Sequence, residues 1–166
     1  MADRRPLVLD SGVKEQLQSG DNLEIPGGIL LGLHSGVGNF AISTNTVAFQ
    51  SRTTGDSNIG FGVNVFEDLT TGNSNTCMGG NSGRNITTGN FNMLVGTVAG
   101  EDITTGTDNV GMGIGACRRI TTGSFNVGVG TNALSNASQV GTVDDCVVLG
   151  AFSYTTGDNA ICIGGS

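Results

Sequence analysis

Residues 53–69 read TTGDSNIGFGVNVFEDL and residues 70–86 read TTGNSNTCMGGNSGRNI. The tripeptide Thr-Thr-Gly returns at Thr53, Thr70, Thr87, Thr104 and Thr121, skips the start due at 138, and comes back in phase at Thr155. The interval is 17 residues (70 − 53). Self-similarity on this scale marks a solenoid, in which a coil cannot bury its own apolar side chains until neighbours stack on it. Any function is then expected on the surface of a rod.

With the first Thr as position 1, the copies line up in columns. Position 3 is Gly in every copy, and position 10 is Gly62, Gly79, Gly96, Gly113 and Gly130. Such glycines suit corners that need positive φ or close backbone approach. Positions 7 and 9 are apolar in nearly every copy: Ile59 and Phe61, Met93 and Val95, Val110 and Met112, Val127 and Val129, Ile161 and Ile163, with Thr76 and Met78 the mixed pair. A period of two predicts a short strand with one buried face, here positions 7 and 9. Position 17 (Leu69, Ile86, Ile103, Ile120) and the small residues of position 13 (Ala99, Ala116, Ala133) complete a thin interior.

Position 8 then falls on the other face, where Gly60, Cys77, Leu94, Gly111, Gly128 and Cys162 carry neither charge nor amide. Solvent-facing positions normally carry polar side chains. The expectation is that another chain packs on this column and that three rods share one axis. The fold class expected is all-β: a parallel β-solenoid, a β-roll or β-helix of about 17-residue coils, packed or intertwined as a homotrimer.

Position 6 is Asn58, Asn75, Asn92, Asn109 and Asn126. In-register stacking predicts a structural ladder, each amide bonding to the next coil, rather than a row that binds glycan or cation. Glu67, Arg84, Glu101 and Arg118 at position 15 form a column of alternating sign, read as solvated pairs worth at most ~1 kcal/mol each.

Composition supports a thin rod. The 166 residues include 29 Gly, no Trp and one Tyr, too few large side chains for a conventional core. A net charge of −7 repels phosphate backbones and anionic bilayers, so neither a nucleic-acid partner nor membrane insertion is expected. The apolar patch Pro6 to Leu9 is too short for a signal peptide. Cys77 and Cys162 lie five periods apart (162 − 77 = 85), about 24 Å at ~4.8 Å per coil, and cannot bridge. Cys146 and Cys162 are about one coil apart, so a disulfide is open there, but buried free thiols are the expectation for all four cysteines.

The period fails in two places. Residues 138–154, SQVGTVDDCVVLGAFSY, keep the length of a repeat but not its letters; a strand is expected from Cys146 to Leu149, Gly150 acts as a corner three residues late, and a loop is expected to bulge around Gly141 to Asp145. Asp144 and Asp145 there are candidate contact residues, with no metal expected. Residues 36–52 resemble a degenerate coil with Phe40, Ile42, Val47 and Phe49 inward. Residues 1–35 lack the repeat and are expected to form a cap or attachment segment, with Pro26 as a hinge into a solenoid domain at 36–166. His34 is the only histidine and no nucleophile has an evident base, so no active site, catalytic residue or cofactor is expected.

The segment PLVLDSGVKEQLQSGDNLEI (residues 6–25) resembles the N-terminal motif of phage tail-fibre and minor virion structural proteins. The TTG-x-x-N-x-x-x-G-x-x-A copies over residues 53–166 resemble repeats of tail fibres and large DNA viruses, and are similar to the head repeats of trimeric autotransporter adhesins. The resemblance implies a homotrimeric virion protein, assembled in the host cytoplasm, that joins other virion proteins through its N-terminal segment and contacts a host receptor. A self-cleaving chaperone domain of the tail-fibre kind and a signal peptide of the autotransporter kind are not evident, and the latter favours a virus. A host glycan is the candidate receptor, with Phe91 and Phe125 at position 5 as rings that stack on sugars or else pack between subunits. The alternatives are a bacterial trimeric adhesin head and an ice-binding solenoid; against the latter, adjacent Thr53 and Thr54 point to opposite faces. Hexapeptide acyltransferase and polysaccharide lyase are disfavoured because 17 is not a multiple of six and no charged groove is evident.

Overall fold

A computed structural model describes residues 22–25, 29–32, 38–43, 53–135, 141–155 and 157–164, the first two segments as backbone only. Strands β1 (Asn22–Ile25) and β2 (Ile29–Gly32) pair antiparallel, and β2 pairs antiparallel with β3 (Phe40–Ser43). From β3 onward every pairing is parallel, through β4 (Ile59–Phe61), β5 (Thr76–Met78), β6 (Met93–Val95), β7 (Val110–Met112), β8 (Val127–Val129), β9 (Val147–Leu149) and β10 (Ile161–Ile163). The ten strands lie in chain order in one sheet. The fold is a parallel β-solenoid, with one three-residue strand per repeat coil. Eight parallel strands make seven steps, a rod of about 34 Å.

The letters explain the coil. Position 10 ends each strand at φ between 129° and 141° from Gly62 to Gly150, a region only glycine enters at low cost. Positions 5, 12 and 14 are left-handed, as at Phe91 (φ 56°), Val98 (φ 53°) and Cys117 (φ 53°). On the turn side N–H groups reach in both directions: Val98 N–H donates to Gly80 O at 2.8 Å in the coil before, Ala99 N–H to Gly96 O at 3.1 Å in its own coil, and Gly100 N–H to Ala116 O at 2.9 Å in the coil after. Each coil is thus hydrogen-bonded to both neighbours outside the sheet as well as within it. At position 3, a Cβ on Gly89 would meet the carbonyl oxygen of Gly106 at 2.5 Å, so backbone proximity alone requires glycine.

The strands face the opposite way from the sequence expectation. Position 8 points inward: Cys77, Leu94 and Val148 are fully buried, and Gly60, Gly111 and Gly128 lie over the core. Positions 7 and 9 point outward, and Ile59, Met78, Met93 and Met112 are exposed. The same holds in β3, where Ala41 is buried and Phe40 and Ile42 lie on the outer face; Val47 and Phe49 fall outside the described residues. The physical reason is volume exchange between positions 8 and 14. Where position 8 is Gly, position 14 is Phe66, Cys117 or Leu134; where position 8 is Cys77 or Leu94, position 14 is Gly83 or Gly100. A Cβ on Gly60 would meet Phe66 Cδ2 at 3.2 Å and Val65 Cγ1 at 2.6 Å, and one on Gly100 would meet Leu94 Cδ1 at 2.6 Å. Position 8 is small because the interior admits one of the two side chains per coil. Positions 13 and 17 are buried, as their letters suggest.

Candidate functional site

The Asn column lies inside the coil. Asn58, Asn75, Asn92, Asn109 and Asn126 are at most 1% exposed, and each repeats one pattern. Asn92 Nδ2 donates to Asn75 Oδ1 and to Gly106 O, both at 2.9 Å, while Asn92 Oδ1 accepts from the backbone N–H and the amide of Asn109, both at 3.1 Å. All the amide's capacity goes into joining coils, so none is offered to a ligand. Two further members had no signal in the period. Asn39 heads the ladder, its Oδ1 accepting from Asn58 N–H at 2.8 Å. Cys146 ends it, its N–H donating to Asn126 Oδ1 at 3.1 Å. Its thiol reaches Gly157 O at 3.2 Å, the carbonyl an asparagine amide would take.

Those contacts fix the register of the irregular segment. Asn126 to Cys146 is 20 residues, and Cys146 to Ala160, its counterpart in the last coil, is 14. Three extra residues in one coil are therefore cancelled by three fewer in the next. The extra length lies between Leu134 and Gly141, so the expected bulge at Gly141 to Asp145 is corrected: those residues occupy positions 1 to 5 of a coil. Asp144 Oδ1 accepts from Ser124 N–H at 2.6 Å in a second ladder at position 4, which continues where Asp144 N–H donates to Asp158 Oδ1 at 3.1 Å. Asp145 is exposed and left-handed at φ 56°. Among the described residues no group of three or more His, Cys, Asp or Glu is placed to hold a metal ion.

Of the two threonines, the first is spent on the fold. Thr70 Oγ1 donates to Thr87 O at 3.0 Å, and Thr87 Oγ1 to Thr104 O at 3.1 Å. The second, as in Thr71, Thr88 and Thr105, is exposed, which leaves one threonine column at the surface and not a paired array. In the charged column Arg84 Nε donates to Glu67 Oε2 at 2.5 Å and Arg118 Nε to Glu101 Oε2 at 2.9 Å. All four cysteines are free; Cys77, Cys117 and Cys146 are buried as expected, whereas Cys162 in the last coil is only half-buried. Cys146 stands at position 6 and Cys162 at position 8, where its ladder neighbour is Val148, so the two do not oppose each other. Burial pushes the Cys117 thiol up to about 12 and the Cys77 thiol higher still.

Large apolar side chains are also exposed. Phe91 and Phe125 are 60% and 58% exposed at left-handed positions two coils apart, about 10 Å along the rod, with Asp108 between them. Beside them runs the outer sheet face of positions 7 and 9, apolar at every level except Thr76 and without a charged side chain from β3 to β10. Ile161 and Ile163 are its most exposed members, at 75% and 76%. Comparison with known proteins finds no matching family model, curated protein or solved structure.

Proposed function

We propose that this chain is a non-enzymatic structural rod of a virion, part of a fibre or surface component that assembles as a homotrimer and contacts a host receptor. One observation carries the proposal: the Asn column, the first Thr and the position-4 side chains bond between coils, while positions 7 and 9 leave an apolar outer face on the sheet from β3 to β10. A surface of that kind suits permanent assembly. The N-terminal motif at residues 6–25 and the TTG repeats resemble those of tail-fibre and virion proteins, and they supply the viral setting. Attachment to other virion proteins is assigned to the N-terminal segment.

Phe91 and Phe125 are the receptor candidates, because two exposed rings on one column offer apolar faces on which sugar rings can stack. A glycan array probed with the wild-type protein and with the Phe91→Ala/Phe125→Ala variant tests this. Binding by the wild type that the variant loses supports a receptor role; no sugar bound by the wild type leaves a spacer.

A further inference from the structure

The outer sheet face is large and apolar for the surface of a single chain. Ile59, Met78, Met93 and Met112 are 40%, 43%, 49% and 45% exposed, and Ile161 and Ile163 more so. Summed over both columns, this leaves apolar surface on the order of 1,000 Å², above the ~300–600 Å² of the largest patch on a typical monomer and near the ~800 Å² per partner of a stable interface. The described Asp, Glu and Arg side chains all lie elsewhere, at positions 4, 5, 15 and 16. A partner therefore needs no charge to match the face, and it must present apolar groups at the same rise of ~4.8 Å per coil. This chain presents that surface itself.

The letters also choose an orientation. Three successive levels pair one long side chain with one shorter: Thr76 with Met78, Met93 with Val95, Val110 with Met112. The methionine changes column at each level. If copies are related by rotation about an axis along the rod, position 7 of one faces position 9 of the next at the same level, and long meets short at all three. A copy running the other way sets a column against itself and breaks that fit.

We propose that the outer face of positions 7 and 9 is a homotypic interface, with copies of this chain packed parallel, coil against coil. This replaces position 8 as the contact column, and it rests on the oligomeric part of the proposed function.

The test uses the full chain carrying Cys162→Ser, so that any further surface thiol is an engineered one. Chains with Val110→Cys and chains with Met112→Cys are mixed, unfolded and refolded together, then treated with a bis-maleimide of about 10 Å reach, the spacing of packed sheets. A cross-linked pair is expected. A Thr105→Cys chain, whose residue is exposed off the face, should not cross-link with either. Separately, Met112→Glu should reduce the assembly to single chains of 16.8 kDa with an unchanged far-ultraviolet spectrum. Cross-linking of Ile59→Cys to Ile161→Cys instead overturns the parallel arrangement. An assembly that survives Met112→Glu and links through Thr105→Cys overturns the face while leaving oligomerisation standing. A monomeric wild type overturns both.

Discussion

Gly113 and Gly80 are adjacent in the repeat, at positions 10 and 11, yet should respond differently to one methyl group. Gly113 has φ +136°, and a Cβ there would meet Gly130 O at 2.5 Å; at Gly80 a Cβ meets nothing within 4 Å. Gly113→Ala is expected to cost about 4 kcal/mol from strain and overlap together, and Gly80→Ala close to nothing, as read by chemical denaturation. The corner glycines were legible in the letters because only glycine accepts that conformation. The left-handed positions 12 and 14 were not, because Val98 and Phe66 at such φ are set by hydrogen bonds between coils and not by local preference. The buried thiols make a second prediction at this scale. Cys117 is held near 12 when folded against an ordinary 9.0, so the unfolded chain loses its proton first as pH rises. The unfolded state then binds fewer protons than the native one, and stability falls as pH climbs from about 9 toward 12. The denaturation midpoint should drop between pH 8 and pH 10.5, and a neutral-pH maleimide should label Cys162 in the folded chain but Cys77, Cys117 and Cys146 only after unfolding.

At the scale of one strand and its turn, the core depends on a pair of positions. Leu94→Gly should cost about 3 to 5 kcal/mol by leaving a cavity, and Gly100→Leu about 3 kcal/mol by overpacking at a left-handed residue. Combined, they move one side chain from position 8 to position 14, the arrangement already present at Gly128 and Leu134. The double variant should recover about 2 kcal/mol relative to the sum of the single changes; additivity within a few tenths of a kcal/mol would refute the exchange. This pairing also explains why the strands could not be oriented from their letters. Apolar residues at both ends of a three-residue strand show which side chains share a face, not which face is inside. The deciding signal was present in the anticorrelated sizes of positions 8 and 14, a relation between columns and not a property of either. The register of residues 141–154 was hidden for a related reason: its ladder residue is Cys146 where the five uninterrupted copies have Asn, and only its contacts with Asn126 and Gly157 identify it.

For the molecule as a whole, the 17-residue period specifies a rod because every coil closes its hydrogen bonds on its neighbours. Contacts run mainly between adjacent coils, so the effect of a ladder mutation should spread along the axis only as far as the neighbouring coils. Asn92→Ala removes two donors and strands the buried acceptor Gly106 O and the donors of Asn109, an expected cost of about 4 kcal/mol in the denaturation midpoint. The rod's shape was legible from the period, whereas the outward face of its strands was not: position 8, expected outside, is buried, and positions 7 and 9 face out. The proposed function depends on assembly through the apolar sheet face. Light scattering on the wild-type protein tests it most directly. The expected molar mass is that of three 16.8 kDa chains, about 50 kDa; a constant 16.8 kDa across concentrations would rule the assembly out.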